Sequence, residues 1–318
     1  MHRLIPQDLL CEVKLINFFM NNYNSISSNI FFPTGWEDYE LIDFGYGKKL
    51  ERFGNFTFIR PDSQAIAEPC LDKKVWDCAD GIFNSSSDEE KGSWKLSKNV
   101  SEFWDVKYNN IKIKTIPTPF RHLGFFPEQS VHWEWCRNII EKNNSNKIKI
   151  LNLFGYSGIA SLDAALAGAE VTHVDASKKA INLAFENRNI NGLQELPIRF
   201  LVEDAVNFVK REIRRNNKYD GIILDPPKYG RGPNGEIWRI EDNLLDLICL
   251  IKKILSKNAL FLVLTSYAIR SSHISLYYLL KSGLKIENGV YSSGELGIKE
   301  NNPKGRVLSC ANFARWQK

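Results

Sequence analysis

The feature that most constrains the fold is a regular alternation of short apolar runs with amphipathic stretches, which begins near residue 148 and continues to residue 264. Strands are expected at 148–153, 170–174, 198–202, 219–224 and 260–264, and helices at 159–167, 177–191, 204–215 and 240–255. Because helical segments separate consecutive strands, the strands are predicted to run parallel in a doubly wound sheet. Ligands bind such sheets outside the carboxyl ends of the strands, so functional residues are expected there.

The preceding residues have a different pattern. Between residues 30 and 120, short aromatic and β-branched runs are punctuated by glycine, as in Tyr39–Asp43, Gly45–Gly47 and Phe53–Ile59, which is typical of β-hairpins. A chain of 318 residues is also long enough for two domains. We therefore predict a small β-rich domain over residues 1–120 and an α/β domain over residues 121–318.

Charge is distributed unevenly between these two parts. Residues 1–120 carry 14 Lys and Arg against 17 Asp and Glu, whereas residues 121–318 carry 28 against 20. The basic excess of the second part indicates nucleic acid as a candidate partner, and the cluster of Lys and Arg between residues 210 and 218 is a candidate contact. Solvated lysines on an enzyme surface would explain the same excess.

The cysteines and the apolar runs indicate in which cellular compartment the protein is expected. The six cysteines include no C-x-x-C pair, which argues against a zinc site or a disulfide framework and favours a reducing, cytoplasmic environment. The N-terminus lacks the profile of a signal peptide, and no apolar run approaches the ~20 residues that a membrane span needs.

Three predicted strands end in residues that could surround a nucleoside. The first leads into Phe154-Gly-Tyr-Ser-Gly158, whose glycines allow a tight turn beside a ligand but which lacks the G-x-G-x-x-G pattern of dinucleotide sites. The second ends at Asp175, which could accept hydrogen bonds from a ribose diol or cap the next helix. The third ends at Glu203-Asp-Ala205, where an acidic side chain could bind adenine, although Asp204 could be only a helix cap.

The fourth strand end, Asp225-Pro-Pro-Lys-Tyr229, is the most informative segment of the chain. Two consecutive prolines fix φ and remove two amide donors, so the carbonyl groups of Asp225 and Pro226 should be held rigidly at the rim of the sheet. They could accept hydrogen bonds from a planar amine while Tyr229 stacks on its ring. A plain turn requires no Asp-Pro-Pro at a strand end.

The chain resembles the class I S-adenosylmethionine-dependent methyltransferases. The resemblance lies in the order of four motifs along the chain, which are a glycine turn, two acidic strand ends and Asp-Pro-Pro. More narrowly, the chain resembles the bacterial large-subunit ribosomal-RNA (cytosine-5) methyltransferase group and its uncharacterised relatives. The resemblance covers about residues 120–318, and Gly124-Phe-Phe-Pro-Glu-Gln129 matches the segment that covers the methionine end of the cofactor in that family. It implies a Rossmann-like sheet of seven strands, mostly parallel with the last strand antiparallel, beside the β-rich N-terminal domain.

The resemblance also implies a cofactor and roles for individual residues. The cofactor is S-adenosyl-L-methionine, the product is S-adenosyl-L-homocysteine, and no metal is required. The implied cofactor-binding residues are Phe126, Gln129, Phe154, Gly155, Tyr156, Ser157, Gly158, Asp175, Ala176, Ser177, Glu203, Asp204 and Ala205. The implied methyl-transfer residues are Asp225, Pro226, Pro227, Lys228 and Tyr229.

One departure from the family pattern bears on the substrate. Cytosine-5 methylation needs a cysteine thiolate that adds to the ring, and the cytosine-5 members carry it just after the fifth strand, where this chain has Leu264-Thr-Ser-Tyr267. We therefore expect methylation of a base in ribosomal RNA at an exocyclic amine rather than at cytosine C5. A protein or small-molecule acceptor is the alternative, favoured by the acidic N-terminal part. A nicotinamide oxidoreductase is disfavoured by the missing third glycine.

Overall fold

A computed structural model describes residues 29–86, 91–143, 147–267, 271–302 and 304–318. Residues 1–28 of the predicted N-terminal domain, including Cys11, lie outside these ranges. No helix within the described ranges is long and apolar enough to cross a membrane.

The N-terminal part is built from short strands, as its glycine-punctuated pattern predicts. Its elements are β1 (Asn29–Phe31), β2 (Tyr39–Gly45), β3 (Lys48–Phe53), β4 (Phe56–Pro61), α1 (Lys73–Asp77), β5 (Gly81–Ser85), β6 (Gly92–Leu96), β7 (Trp104–Tyr108) and β8 (Ile111–Thr115). Strands β2 to β6 form a five-stranded sheet in chain order, and β7 pairs with β8 in a hairpin. Tyr46 and Gly47 both take positive φ in the turn between β2 and β3, a conformation that matches the twist of a hairpin.

The C-terminal part alternates strands and helices. A 3-10 turn (Pro127–Gln129) precedes α2 (Ser130–Lys142), β9 (Lys149–Leu153), α3 (Ile159–Leu166), β10 (Glu170–Asp175), α4 (Lys178–Ile190), β11 (Ile198–Val202), α5 (Ala205–Arg214), β12 (Gly221–Leu224), β13 (Tyr229–Arg231), β14 (Ile237–Arg239), α6 (Ile240–Lys252), β15 (Phe261–Ser266), α7 (His273–Leu284), β16 (Val290–Lys299) and β17 (Val307–Gln317). The elements predicted between residues 148 and 264 are all present, with ends within about three residues of those expected.

The large sheet has the order β1-β16-β17-β15-β12-β9-β10-β11. Strands β9 to β12 and β15 pair in parallel, whereas β17 is antiparallel to both of its neighbours. The mostly parallel sheet with an antiparallel last strand is therefore confirmed. Strand β1 adds an eighth strand parallel to β16, so the N-terminal part contributes to the large sheet. The domain boundary at residue 120 stays a prediction.

The two parts of the chain share one apolar core. Phe53 and Val106 from the N-terminal part belong to the same buried cluster as Trp133 and Ile150. A second cluster contains Phe208, Leu247 and Leu280, which lie on α5, α6 and α7. Helices thus cover both faces of the sheet, which is the layer arrangement that buries parallel strands.

An ion-pair network also joins the two parts. The Arg306 guanidinium, in the loop between β16 and β17, lies 2.9 Å from the Asp43 carboxylate on β2 and 2.6 Å from that of Glu300. Asp43, Glu300 and Cys70 are close enough together to serve as metal ligands. Because Arg306 already supplies a cation to both carboxylates, we interpret the cluster as a structural ion pair.

Candidate active site

The carboxyl ends of β12, β9, β10 and β11 lie side by side at one edge of the large sheet, because these neighbouring strands are parallel. Each of them leads into one of the predicted segments, which are Asp225–Tyr229, Phe154–Gly158, Asp175–Ser177 and Glu203–Ala205. The topology therefore brings together four segments that are distant in sequence.

The turn after β9 is tightly wound. Phe154 and Tyr156 have φ values of 58° and 49°, and Gly158 has 82°, in the left-handed region that side chains with a Cβ rarely adopt. A Cβ at Gly155 would lie 2.3 Å from Cε1 of His173. Only glycine at this position lets the turn lie directly on β10, which leaves the outer side of the turn open to a ligand.

A buried polar chain supports this turn from below. Asn152 Nδ2 donates to Ser161 Oγ at 2.9 Å, and the same hydroxyl lies 2.9 Å from His173 Nδ1. Burial holds the pKa of His173 at about 3, so the ring is neutral at physiological pH. These supporting residues were not among the predicted site residues, although polar side chains within apolar strands are a signal that could have found them.

Asp175 ties the glycine turn to the next helix. Its carboxylate accepts the backbone N–H groups of Tyr156 at 3.0 Å and of Ser177 at 2.8 Å. Burial raises its pKa. The N-cap of α4 is Ser177, whose hydroxyl accepts the N–H of Ala180, so Asp175 itself is not the cap.

The end of β11 presents two acidic residues with different partners. Asp204 is the N-cap of α5 and accepts the N–H of Asn207 at 2.9 Å. It therefore has the helix-capping role that was the alternative to adenine binding. The Glu203 carboxylate lies 2.5 Å from Nη1 of Arg211. Arg211, which belongs to the basic stretch 210–218, is therefore already paired with a carboxylate.

A cleft opens at this edge of the sheet. The predicted residues that line it are Phe126, Gln129, Phe154, Gly155, Tyr156, Ser157 and Asp225. The predicted residues that lie outside this lining are Gly158, Asp175, Ala176, Ser177, Glu203, Asp204, Ala205, Pro226, Pro227, Lys228 and Tyr229.

Helix α2 supplies lining residues beyond the predicted ones, among them His132, Trp133 and Cys136. The buried residues of α2 recur at helical spacing, as at Trp133, Cys136, Ile139 and Ile140. That periodicity is a signal that could have predicted the helix.

The side chain of Asp225 is held at the floor of the cleft. Gln129 Nε2 donates to its Oδ2 at 2.9 Å. Burial and the nearby Glu128 carboxyl raise the pKa of Asp225 to about 8, and burial also raises the pKa of Glu128. A carboxyl group that titrates near neutral pH can accept a hydrogen bond in either state and can take up or release a proton during turnover.

The segment after the prolines forms a two-stranded ribbon, β13–β14, that is fixed to the cleft by Trp238. Its indole Nε1 donates to the Pro227 carbonyl at 2.7 Å, and its ring packs against Phe154 with centroids 5.0 Å apart. Trp238 is buried, whereas Lys228, next to Pro227, is exposed. The ribbon therefore has one inner face that packs on the cleft wall.

The outer face of the ribbon carries Tyr229, Arg231, Ile237 and Arg239. Tyr229 pairs with Arg239 and Arg231 with Ile237, and residues directly opposite each other on paired strands point to the same side. All four side chains are exposed, Tyr229 by 50%. Arg231 Nε donates to the Tyr229 hydroxyl at 3.2 Å. An aromatic ring and two guanidinium groups thus face solvent on the ribbon that follows Asp225 in the chain.

Known proteins share this architecture. Residues 128–269 match a family model described as "Conserved hypothetical protein 95". The crystal structure of the S-adenosylmethionine-dependent methyltransferase from Agrobacterium tumefaciens is 46% identical, with a TM-score of 0.87 over 91% of this chain and 93% of that chain. The chain belongs to the S-adenosylmethionine-dependent methyltransferases.

Other relatives of this methyltransferase match over shorter regions or share only the fold. The ribosomal RNA large subunit methyltransferase K/L of Shewanella frigidimarina is 28% identical over 243 residues, which are 70% of this chain and 33% of that protein. The ribosomal RNA large subunit methyltransferase I of Aeromonas salmonicida is 31% identical over 125 residues, or 39% and 30% of the two chains. The chain thus spans about a third of these curated relatives. A methyltransferase structure from Streptococcus mutans, 16% identical with a TM-score of 0.67, shares the fold.

The cleft of this methyltransferase fits its cofactor. A sulfonium is a cation, and aromatic faces and carboxyl groups suit a cation. The cleft places the rings of Phe126 and Tyr156 5.9 Å apart and Asp225 on the same lining. The residues present therefore fit S-adenosylmethionine.

Proposed function

We propose that this methyltransferase modifies a base in ribosomal RNA, in the cytoplasm, and that the acceptor is an exocyclic amine. The observation that carries the proposal is Asp225, a carboxyl group fixed by Gln129 in the cleft and followed directly by an exposed aromatic ribbon. A planar base can stack on Tyr229 while its amine meets the Asp-Pro-Pro rim.

The proposed cofactor contacts follow the strand ends. Asp175 holds the ribose diol, and Glu203–Ala205 bind the adenine. The turn Phe154–Gly158 encloses the methionine and ribose parts from one side, and Phe126 with Gln129 covers the methionine part from the other. Ala176 and Ser177 continue the ribose side at the start of α4.

The bound cofactor supplies an electrophilic methyl group on a sulfonium. The contribution of the protein is then mainly positioning and exclusion of water. The carboxyl of Asp225 and the carbonyl of Pro226 accept the two amine hydrogens, which directs the nitrogen lone pair at the methyl group. After transfer the nitrogen carries an extra proton, and the ionised form of Asp225, whose pKa is about 8, can accept it.

The cysteines support an amine rather than C5 as the acceptor. Cytosine-5 chemistry needs a thiolate, and burial raises the thiol pKa of both Cys136, which lines the cleft, and Cys310. Raised pKa values disfavour the nucleophilic form. The position after the fifth strand is held by Tyr267, whose ring lies 5.1 Å from that of Phe126.

Ribosomal RNA as the substrate is supported by two observations. The curated relatives described above are named as ribosomal RNA large subunit methyltransferases, although the chain spans only about a third of each. In addition, Arg231 and Arg239 flank Tyr229 on the outer face of the ribbon, and guanidinium groups beside an aromatic ring suit the phosphates and bases of RNA.

Transfer of a tritium-labelled methyl group to total RNA and to total protein tests the proposal. We expect label in RNA, recovered after digestion as an N-methylated nucleoside. Asp225→Ala should lose transfer but bind S-adenosylmethionine, Asp175→Ala should lose binding, and exposed Asp246→Ala should keep both. Label in protein or a small molecule, with none in RNA, would refute the RNA assignment, and 5-methylcytidine would refute the amine assignment.

A further inference from the structure

His132 is a buried histidine in the cleft that the assignments above do not use. It lies in the first turn of α2, is 2% exposed, and lines the cleft together with Gln129 and Asp225. Its Nε2 atom is buried and has no hydrogen-bond partner among the described residues. An unpaired buried polar atom is unfavourable, so its presence in a ligand cleft suggests that a ligand atom satisfies it.

Arg315 determines which ring nitrogen of His132 carries the hydrogen. Arg315 Nε donates to His132 Nδ1 at 3.1 Å. A guanidinium has only donors, so Nδ1 must present its lone pair, and the hydrogen of the neutral ring lies on Nε2. Burial and the charge of Arg315 hold the pKa of His132 well below its usual range. His132 therefore carries a single N–H donor, at Nε2.

Arg315 also gives this end of the cleft a positive charge. It is 5% exposed, and its guanidinium lies 4.6 Å from the ring centroids of Trp135 and Phe313. Burial lowers its pKa only to about 10, so it stays protonated at neutral pH. Within the described ranges, no carboxylate forms a salt bridge with it. A buried cation without a counter-ion favours an anion nearby.

We propose that His132 Nε2 donates a hydrogen bond to the α-carboxylate of the bound cofactor, with the Arg315 charge behind it. The proposal rests on the cofactor placement under Proposed function. The carboxylate is the only anionic group of S-adenosylmethionine, and an N–H donor repels its ammonium. In the large sheet, β12 and β9 lie between β10 and β17. Strand β10 leads to the ribose site at Asp175, and β17 carries Arg315. The methionine end therefore points toward His132.

The test compares two isosteric variants and two ligands by calorimetry. His132→Asn keeps an acceptor near the Nδ1 position but has no donor at Nε2, whereas His132→Gln places an amide N–H near Nε2. The ligands are S-adenosylmethionine and its decarboxylated analogue, which retains the sulfonium. His132→Asn should lower the affinity for S-adenosylmethionine about tenfold to a hundredfold, as expected when a hydrogen bond to a charged group is lost. It should change binding of the analogue less than about twofold, and His132→Gln should restore most of the affinity for S-adenosylmethionine.

Equal weakening of both ligands by His132→Asn would show a structural role and overturn the proposal, as would unchanged binding of S-adenosylmethionine. Wild-type protein that binds neither ligand would instead refute the cofactor placement. A readout that needs no variant is the ¹⁵N spectrum of histidine-labelled wild-type protein, in which His132 should be protonated at Nε2. Protonation at Nδ1 would overturn the proposal even if the variants unfold.

Discussion

Replacing Asp225 by asparagine should stabilise the protein at alkaline pH while impairing methyl transfer. The folded-state pKa of Asp225 is raised to about 8 by burial and by Glu128, whereas an aspartate in an unfolded chain titrates near 3.8. The folded protein therefore binds the proton more tightly than the unfolded chain. Ionisation of Asp225 opposes folding progressively as the pH rises from about 4 to about 8, and its full effect is present above pH 8.

The magnitude follows from the two pKa values. At 1.36 kcal/mol for a tenfold change, the difference between 3.8 and about 8 corresponds to at most ~6 kcal/mol. Because Asp225 is partly exposed at the cleft, solvent screening reduces this, and we expect about 2–3 kcal/mol. An asparagine removes the charge, and its amide oxygen can still accept the hydrogen bond that Gln129 donates to Asp225 at 2.9 Å.

Urea unfolding at pH 5 and pH 9 measures the effect. Asp225→Asn should gain about 2–3 kcal/mol of unfolding free energy at pH 9 relative to wild type, and much less at pH 5. Asp246→Asn, at an exposed position of α6, is the matched control. Its free energy of unfolding should differ little from that of wild type at either pH. Methyl transfer by Asp225→Asn should lose the pH dependence that wild type shows near pH 8. Equal effects at both pH values would refute the assigned pKa and its cause.

Three further variants test other parts of the structure. Gly155→Ala places a Cβ 2.3 Å from Cε1 of His173, so it should lower stability by about 1–3 kcal/mol and weaken cofactor binding, as measured by thermal unfolding and calorimetry. Arg306→Leu leaves two buried carboxylates without their cation and should lower the unfolding free energy in urea by about 3 kcal/mol or more; an unchanged value would contradict the network. Cys136→Ala combined with Cys310→Ala should keep methyl transfer within about threefold, and loss to background would indicate a thiolate mechanism.

The sequence determined the sheet and the identity of its edge residues, because both depend on local signals. Apolar runs of strand length, separated by amphipathic stretches of helix length, specify parallel strands. Asp225-Pro-Pro and the glycines around Tyr156 restrict the backbone wherever they occur in a fold. The antiparallel last strand followed from family resemblance rather than from periodicity, and the structure confirms it.

Only the tertiary structure decided which side chains face each other across the cleft. The hydrogen bond of Gln129 to Asp225 joins positions 96 residues apart, and that of Arg315 to His132 joins positions 183 apart. No local pattern encodes such pairs, because they depend on how α2 packs against the sheet. The raised pKa of Asp225 and the orientation of the His132 ring arise from burial and neighbouring charge. The sequence supplies the groups, but their protonation and direction exist only in the folded chain.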